Sequence, residues 1–211
     1  MRTPLQTTIY IDGFNLYYGA LKGTPYKWLN VADLCSRLLT NNTIVRIKYF
    51  TALVSARPGD LDLPSRQQLY LRALRTIANL EIIYGHFLTN TVTMRLANPL
   101  PNQSPFVDVI KTEEKGSDVN IATHLLCDGF RGEYQAAVLV TNDSDLVEPI
   151  RVVRHQLNLV VGVLNPQSRP SFEIARQVHF MKPIRRGALA ASQFPDTLTD
   201  AQGIFTKPSQ W

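Results

Sequence analysis

The chain predicts an α/β fold, a three-layer sandwich with a mostly parallel sheet between two layers of helices. Three observations carry that expectation. Short aliphatic and β-branched runs alternate with segments whose apolar residues recur at helical spacing, the pattern of βαβ units. Two of those runs, TTIYI at 7–11 and AVLV at 137–140, carry no charge, as strands buried on both faces of a sheet do. Each breaks at once into turn chemistry with an acid at the strand's carboxyl end, Asp12 in the first and Asp143 in the second. In open parallel sheets that rim is where ligands bind.

The elements follow in order. Residues 7–11 lead through Asp12-Gly13-Phe14-Asn15 into the helix NLYYGAL. Gly13 permits a turn with positive φ, and Asn15 caps the helix or offers an oxygen to a metal or a phosphate-bound water. Residues 30–39 form a helix capped by Asn30 that buries Val31, Leu34, Cys35 and Leu38. Residues 43–54 are a long strand; Arg46 and Lys48 alternate with Val45, Ile47 and Tyr49, which leaves one face for solvent or a partner. A loop with Arg57, Pro58 and Gly59 precedes a helix from Pro64, where proline suits the first turn. Its apolar side is Tyr70, Ala73, Leu74 and Ile77, with Arg72 and Arg75 on a solvated face.

Residues 80–88 are the third strand, with His86 read as a satisfied core histidine. Apolar and polar residues then alternate on either side of the connector ANPLPNQSPF, which gives residues 89–114 the look of an inserted hairpin with a long loop, a flap beside the rim. A helix opens at Lys115-Gly116-Ser117-Asp118. Ser117 or Asp118 is its natural N-cap, Val119, Ala122, Leu125 and Leu126 its core stripe, and His124 and Asp128 a surface pair. After 137–140 comes a helix with Leu146, Ile150 and Val153 inward, then the last main strand at 157–164. Residues 171–177 are a short helix and VHFM a small edge strand. Pro183 begins an aperiodic stretch, so a domain over 1–182 is followed by an irregular tail, 183–211, docked by Phe194, Phe205 or Trp211.

Bulk properties narrow the function. With 45% hydrophobic and 18% charged residues, the 211-residue chain is an ordinary globular protein with a real core. No apolar run approaches the roughly 20 residues of a membrane span, and the amino terminus lacks a signal-peptide pattern. Cys35 and Cys127 fall inside helices without CxxC spacing, so neither a zinc site nor a disulfide framework is supported. They read as reduced core residues of a cytoplasmic protein. A net charge of +5 points to an anionic partner.

The site is expected at Thr141-Asn142-Asp143-Ser144-Asp145, where two carboxylates two positions apart repel unless something compensates them. Magnesium is the simplest answer, since it prefers carboxylate oxygen. Asp145-x-x-Glu148 also fits a capping box, so Asp145 is either a helix cap or a site residue. Asp143 has no such alternative. If the first strand neighbours 137–140, Asp12 and Asp143 end strands only about 4.8 Å apart. Periodicity does not bring Asp118 to the same rim.

Three segments, Asp12-Gly-Phe-Asn15, Lys115-Gly-Ser-Asp118-Val-Asn and Thr141-Asn-Asp-Ser-Asp145-Leu, together resemble the signature of NYN domains, within the PIN-like, FLAP-nuclease-like group of metal-dependent ribonucleases. The resemblance spans roughly residues 7–180. It implies a five-stranded parallel sheet of order 3-2-1-4-5 and an acidic pocket for Mg²⁺ or Mn²⁺. It also implies that Asp12, Asp118 and Asp143 hold the metal, with Asp145 a fourth catalytic acid. Asn15, Lys115, Thr141, Asn142 and Ser144 are the substrate-side residues under the same resemblance. His124 departs from it, since many relatives carry another acid there.

The chemistry expected is hydrolysis of RNA phosphodiesters, in which positive charge must meet the scissile group. Lys115 is placed for the phosphate backbone, with Arg46, Lys48, Arg57 and Lys111 as further cations and Phe14, Tyr17 or Tyr18 as stacking platforms for single-stranded RNA. A homodimer is compatible with this reading; a membrane partner is not. The alternatives are a non-catalytic RNA-binding or assembly module with a vestigial site, and a hydroxylase of small heteroaromatic compounds. No GxGxxG follows the first strand, and a haloacid-dehalogenase-type phosphatase would need an acid where Phe14 stands.

Overall fold

The uncharged run at 7–11 lies within the central strand of a sheet in a computed structural model that describes residues 3–100 and 103–211. Part of the long connector, Pro101 and Asn102, and the first two positions of the 1–182 region fall outside the described residues. Strand β1, Leu5–Asp12, is buried from residue 7 to its end. It turns into the short helix α1, Gly13–Leu16, which widens into a π-helical turn at Tyr17–Leu21. Helix α2, Val31–Leu38, is capped as expected, with the Asn30 side chain accepting from Ala32 and Asp33 N–H. Strand β2, Asn42–Thr51, and helix α3, Leu63–Leu74, lead to β3, Leu80–Tyr84.

Strands β4, His86–Arg95, and β5, Phe106–Lys115, form the inserted hairpin in full antiparallel register. The remaining elements are α4 (Ser117–Phe130), β6 (Ala136–Val140), a 3₁₀ turn at Ser144–Leu146, α5 (Val147–His155), β7 (Val160–Asn165), α6 (Phe172–Gln177) and β8 (Phe180–Pro183). Beyond them lie α7 (Arg186–Ala191), β9 (Thr197–Asp200) and β10 (Gly203–Thr206).

The main sheet has the order β3-β2-β1-β6-β7-β8, with every neighbouring pair parallel. With the hairpin strands left out of the numbering, the expected 3-2-1-4-5 order is present. The count differs: there are six strands, because β8 adds an edge strand. The chain builds outward from β1 on one side, then crosses the sheet to β6 and builds outward on the other. Between β1 and β6 lies the switch point, and Asp12 ends the first of those strands. Two apolar cores result. One joins the sheet to α2, α3 and α7 through Leu34, Leu71, Leu74 and Leu189. The other joins it to α4, α5 and α6 through Ile121, Leu125, Ile150 and Ile174.

Several expectations are corrected. The run at 80–88 is not one strand: it breaks at Gly85, and His86 is an exposed hairpin residue paired with Lys115. A β-carbon at Gly85 would lie 2.6 Å from the Lys115 carbonyl oxygen, so glycine alone lets the two hairpin ends pass. Helix α4 is capped by neither Ser117 nor Asp118. Gly116, at φ 96°, takes the N-cap position, and the Glu114 carboxylate accepts from both the N–H and the hydroxyl of Ser117. Its buried side runs through Ile121, Leu125, Asp128 and Gly129, while Val119 is exposed and so is Cys127.

His124 and Asp128 are no surface pair. Asp128 is buried, accepting from Lys48 Nζ at 2.6 Å and from the Tyr10 hydroxyl at 2.7 Å, and Lys48 Nζ also meets His124 Nδ1 at 3.1 Å. Lys48 is thus a core cation rather than a surface one. Residues 183–211 are not irregular either. Trp28, fully buried, packs edge-on against Phe194, Phe205 and Trp211, and its indole N–H donates to the Pro195 carbonyl. Arg72, expected on a solvated face, forks onto the Asp200 carboxylate at 2.7 Å and stacks on Phe205.

Candidate metal centre

Three carboxylates meet at the carboxyl rim of the sheet. Asp12, Asp118 and Asp143 each present an oxygen within 4.8 Å of the others. Each arrives by a different route. Asp12 is the last residue of β1; its Oδ1 accepts from the Asn15 N–H at 2.9 Å, so the acid itself caps α1. Asp143 follows β6 by three residues and caps the 3₁₀ turn, accepting from the Asp145 N–H at 3.0 Å. Asp118 stands in the first turn of α4, carried to the rim by the hairpin that ends at Lys115. The route that periodicity could not supply is therefore the β5-to-α4 turn.

Polar neighbours hold these turns in place. The Thr141 hydroxyl donates toward Asp12 Oδ2 at 3.4 Å and accepts from the Asp143 N–H at 3.1 Å. Asn142 is fixed from both sides: its backbone N–H donates to Asn15 Oδ1, its side chain donates to the Arg169 carbonyl, and it accepts from the Ser171 N–H at 2.6 Å. Asn15, Thr141 and Asn142, named from sequence as substrate-side residues, are thus engaged in joining the two strand-end turns. Ser144 and Asp145 are exposed on the 3₁₀ turn, and Asp145 stands outside the three-acid cluster. The proposed capping box is absent: Asp143 caps the turn, and Glu148 pairs with Arg151. Lys115 is exposed and shares Glu113 with Lys111.

The electrostatics of the cluster are those of crowded, partly dehydrated anions. Burial pushes Asp12 up to about 7, helped by the negative charge of Asp118 and Asp143 and opposed by the Asn15 N–H and Thr141 hydroxyl. Burial also raises Asp118, with Asp143, Glu114 and Asp145 adding to it. Hard carboxylate oxygens gathered around one point, with no cationic side chain in ion-pair contact with any of the three among the described residues, suit a hard divalent cation. Occupation by such an ion would lower all of these values together.

Two features escape a reading of the sequence. The Lys48–Asp128–Tyr10 cluster pairs residues 80 and 118 positions apart, which no local pattern reveals. A cavity of about 490 Å³ is lined by Gly13 and Phe14, directly after Asp12 in the chain, and by aromatic residues from four other segments. The stacking candidates Phe14, Tyr17 and Tyr18 all lie on its wall, as does Arg57.

Comparison with known proteins agrees with the geometry. The model of the NYN domain matches residues 6–182. The chain is 33% identical over 239 aligned positions to a 6-hydroxy-3-succinoylpyridine 3-monooxygenase of Pseudomonas putida, an alignment covering 99% of this chain and 76% of that protein. A crystal structure of a protein of unknown function from Vibrio parahaemolyticus shares the fold at a TM-score of 0.58 and 15% identity, over 88% of this chain and 96% of that one.

Proposed function

The chain belongs to the NYN domain family, and from that premise we propose that it is a metal-dependent endoribonuclease acting on single-stranded RNA. The observation that carries this reading is the convergence of Asp12, Asp118 and Asp143 from three separate elements on one point. Those three carboxylates would hold Mg²⁺ or Mn²⁺. An ion held there supplies the positive charge that lets a water attack a phosphodiester and a leaving oxygen depart. The chain's own residues do the positioning. Thr141 and the Asn15 N–H orient the Asp12 carboxylate, and the Asp143 side chain is fixed by the turn it caps. Lys115, at the root of the hairpin, offers its ammonium to the backbone of the bound strand. The carboxylates form no bond to substrate.

A second reading, hydroxylation of a small heteroaromatic ring, draws on the activity for which the Pseudomonas relative is named and on the aromatic-lined cavity that begins at Gly13. A third, an RNA-binding module without catalysis, shares every feature except turnover. One experiment separates them. Purified protein is incubated with end-labelled single-stranded RNA plus Mg²⁺, Mn²⁺ or EDTA, alongside Asp143→Asn. Internal cleavage that needs the metal and vanishes in Asp143→Asn supports the nuclease. RNA binding without cleavage in either metal supports the module. In a parallel incubation, oxygen uptake that requires both a hydroxypyridine and an added two-electron donor of the reduced-nicotinamide class, with RNA untouched, supports the hydroxylase.

A further inference from the structure

The cavity that begins at Gly13 has a use that its walls describe. Its aromatic residues are Phe14, Tyr17, Tyr18, Tyr49, Tyr70 and Trp211, drawn from α1 and its π turn, β2, α3 and the last residues of the chain. At about 490 Å³ it falls in the range of sites that take small planar ligands. Tyr18 is 52% exposed, which leaves ring surface for a partner. Tyr49 is only 5% exposed and lines the wall.

Charge gives the ligand's sign. Lys22, Lys27 and Arg57 line the cavity and form no ion pair among the described residues, whereas Arg66 and Asp60 neutralise each other in a forked pair. Lys22 sits 4.9 Å above the Tyr18 ring, so a cation covers one face of that ring and stands at the same wall of the cavity. The cavity also reaches the residues that follow one of the carboxylates. Gly13 and Phe14, on its wall, come directly after Asp12 in the chain, and Gly13 abuts the Tyr49 ring. Gly13 is required for this closeness, since a β-carbon there would lie 2.8 Å from the Tyr49 ring and 2.7 Å from the Phe50 carbonyl oxygen.

We infer that the cavity receives an unpaired nucleobase of the RNA strand whose phosphodiester lies at the three aspartates, with Lys22, Lys27 and Arg57 taking up the adjoining phosphate. This rests on the nuclease reading and adds a position to it. A base can enter only if it has left its stack and its pair, so the substrate must be single-stranded at that nucleotide.

The test separates the cavity from the chemistry. In EDTA, the four nucleoside 5′-monophosphates, ribose 5-phosphate and nicotinate are titrated into wild-type protein, Asp143→Asn, Tyr18→Ala and Arg57→Ala by calorimetry. Expected is saturable binding of at least one nucleotide, at least tenfold tighter than ribose 5-phosphate. Binding should persist in Asp143→Asn and weaken about five- to tenfold in Tyr18→Ala and in Arg57→Ala. Equal binding of ribose 5-phosphate, no effect of Tyr18→Ala, or nicotinate bound in preference to every nucleotide overturns the inference. Failure of the nuclease reading shows elsewhere, as absence of metal-dependent RNA cleavage, whatever the nucleotides do.

Discussion

The Asn15 side chain accepts the backbone N–H of Asn142 at 3.1 Å, joining the turn after β1 to the turn after β6 across 127 positions of sequence. That bond holds Asp12 and Asp143 at a fixed separation. Asn15→Ala leaves the Asn142 N–H unpaired in a partly buried position, at a cost of about 1–3 kcal/mol. The affinity for Mn²⁺ should fall about tenfold or more, as when a group supporting metal ligands is lost. Calorimetric titration with Mn²⁺ and a urea melt measure the two effects separately.

Metal-free protein should lose stability as pH rises. Asp12 gives up its proton near 3.8 in the unfolded chain but at about 7 when folded. Between those values the folded state binds the extra proton, so unfolding becomes easier as pH increases through the window, and the whole penalty is present above about 7. The size is about 4 kcal/mol. Urea midpoints in EDTA should fall from pH 4 to 7, and the fall should be smaller in Asp12→Asn. Saturating Mg²⁺ or Mn²⁺ at pH 7.5 should restore stability to the wild type.

Lys48 is a structural cation. Lys48→Met leaves the Asp128 carboxylate buried without its counter-charge and should cost about 3–5 kcal/mol. Combining it with Asp128→Leu and Tyr10→Phe removes the carboxylate and the phenol hydroxyl as well, leaving only the part-buried His124, and should recover most of that loss. Urea melts of the single and triple variants decide it. A Lys48→Met protein as stable as wild type would contradict the buried pair.

The hairpin is anchored where it meets the site. Phe87 of β4 packs edge-on against Phe14 with ring centroids 5.6 Å apart. Phe87→Ala should leave the melting temperature within a few degrees, since both rings are only half-buried. It should increase hydrogen exchange across β4 and β5 and lower RNA cleavage at limiting substrate.

Removing residues 184–211 should unfold more than a tail. It strips Phe194, Phe205 and Trp211 from Trp28 and opens one of the two apolar cores. Truncated protein is expected to aggregate or to lose cooperative melting. Trp28→Ala in the full chain should cost about 3–5 kcal/mol.

The fold was largely legible because its signals are local. Uncharged runs announced the buried strands, and Asn30 and Pro64 announced the starts of their helices. Two of the three aspartates could be found the same way, as acids ending such runs. Asp118 could not, because its position depends on the hairpin's return path; only resemblance to a family placed it with the others. The Gly85 break went unseen because LEIIYGHFL is continuously compatible with a strand, and the need for glycine arises from a backbone 30 positions away at Lys115. Lys48 and Asp128 each look solvent-exposed in their own segment, and only their meeting makes burial tolerable. The last 29 residues show no periodicity because their aromatics dock singly onto Trp28 rather than as a stripe.

Gly85 and Gly116 bracket the hairpin, and a β-carbon on Gly116 would touch the Gly85 Cα at 3.8 Å. The arm therefore leaves and rejoins the domain through one narrow gate, its two strands paired with each other and, among the described residues, with no strand of the main sheet. An insertion mounted in that way can change length or surface chemistry while the sheet beneath keeps its register. Relatives that share the same carboxylates could differ in what they grip simply by exchanging that arm.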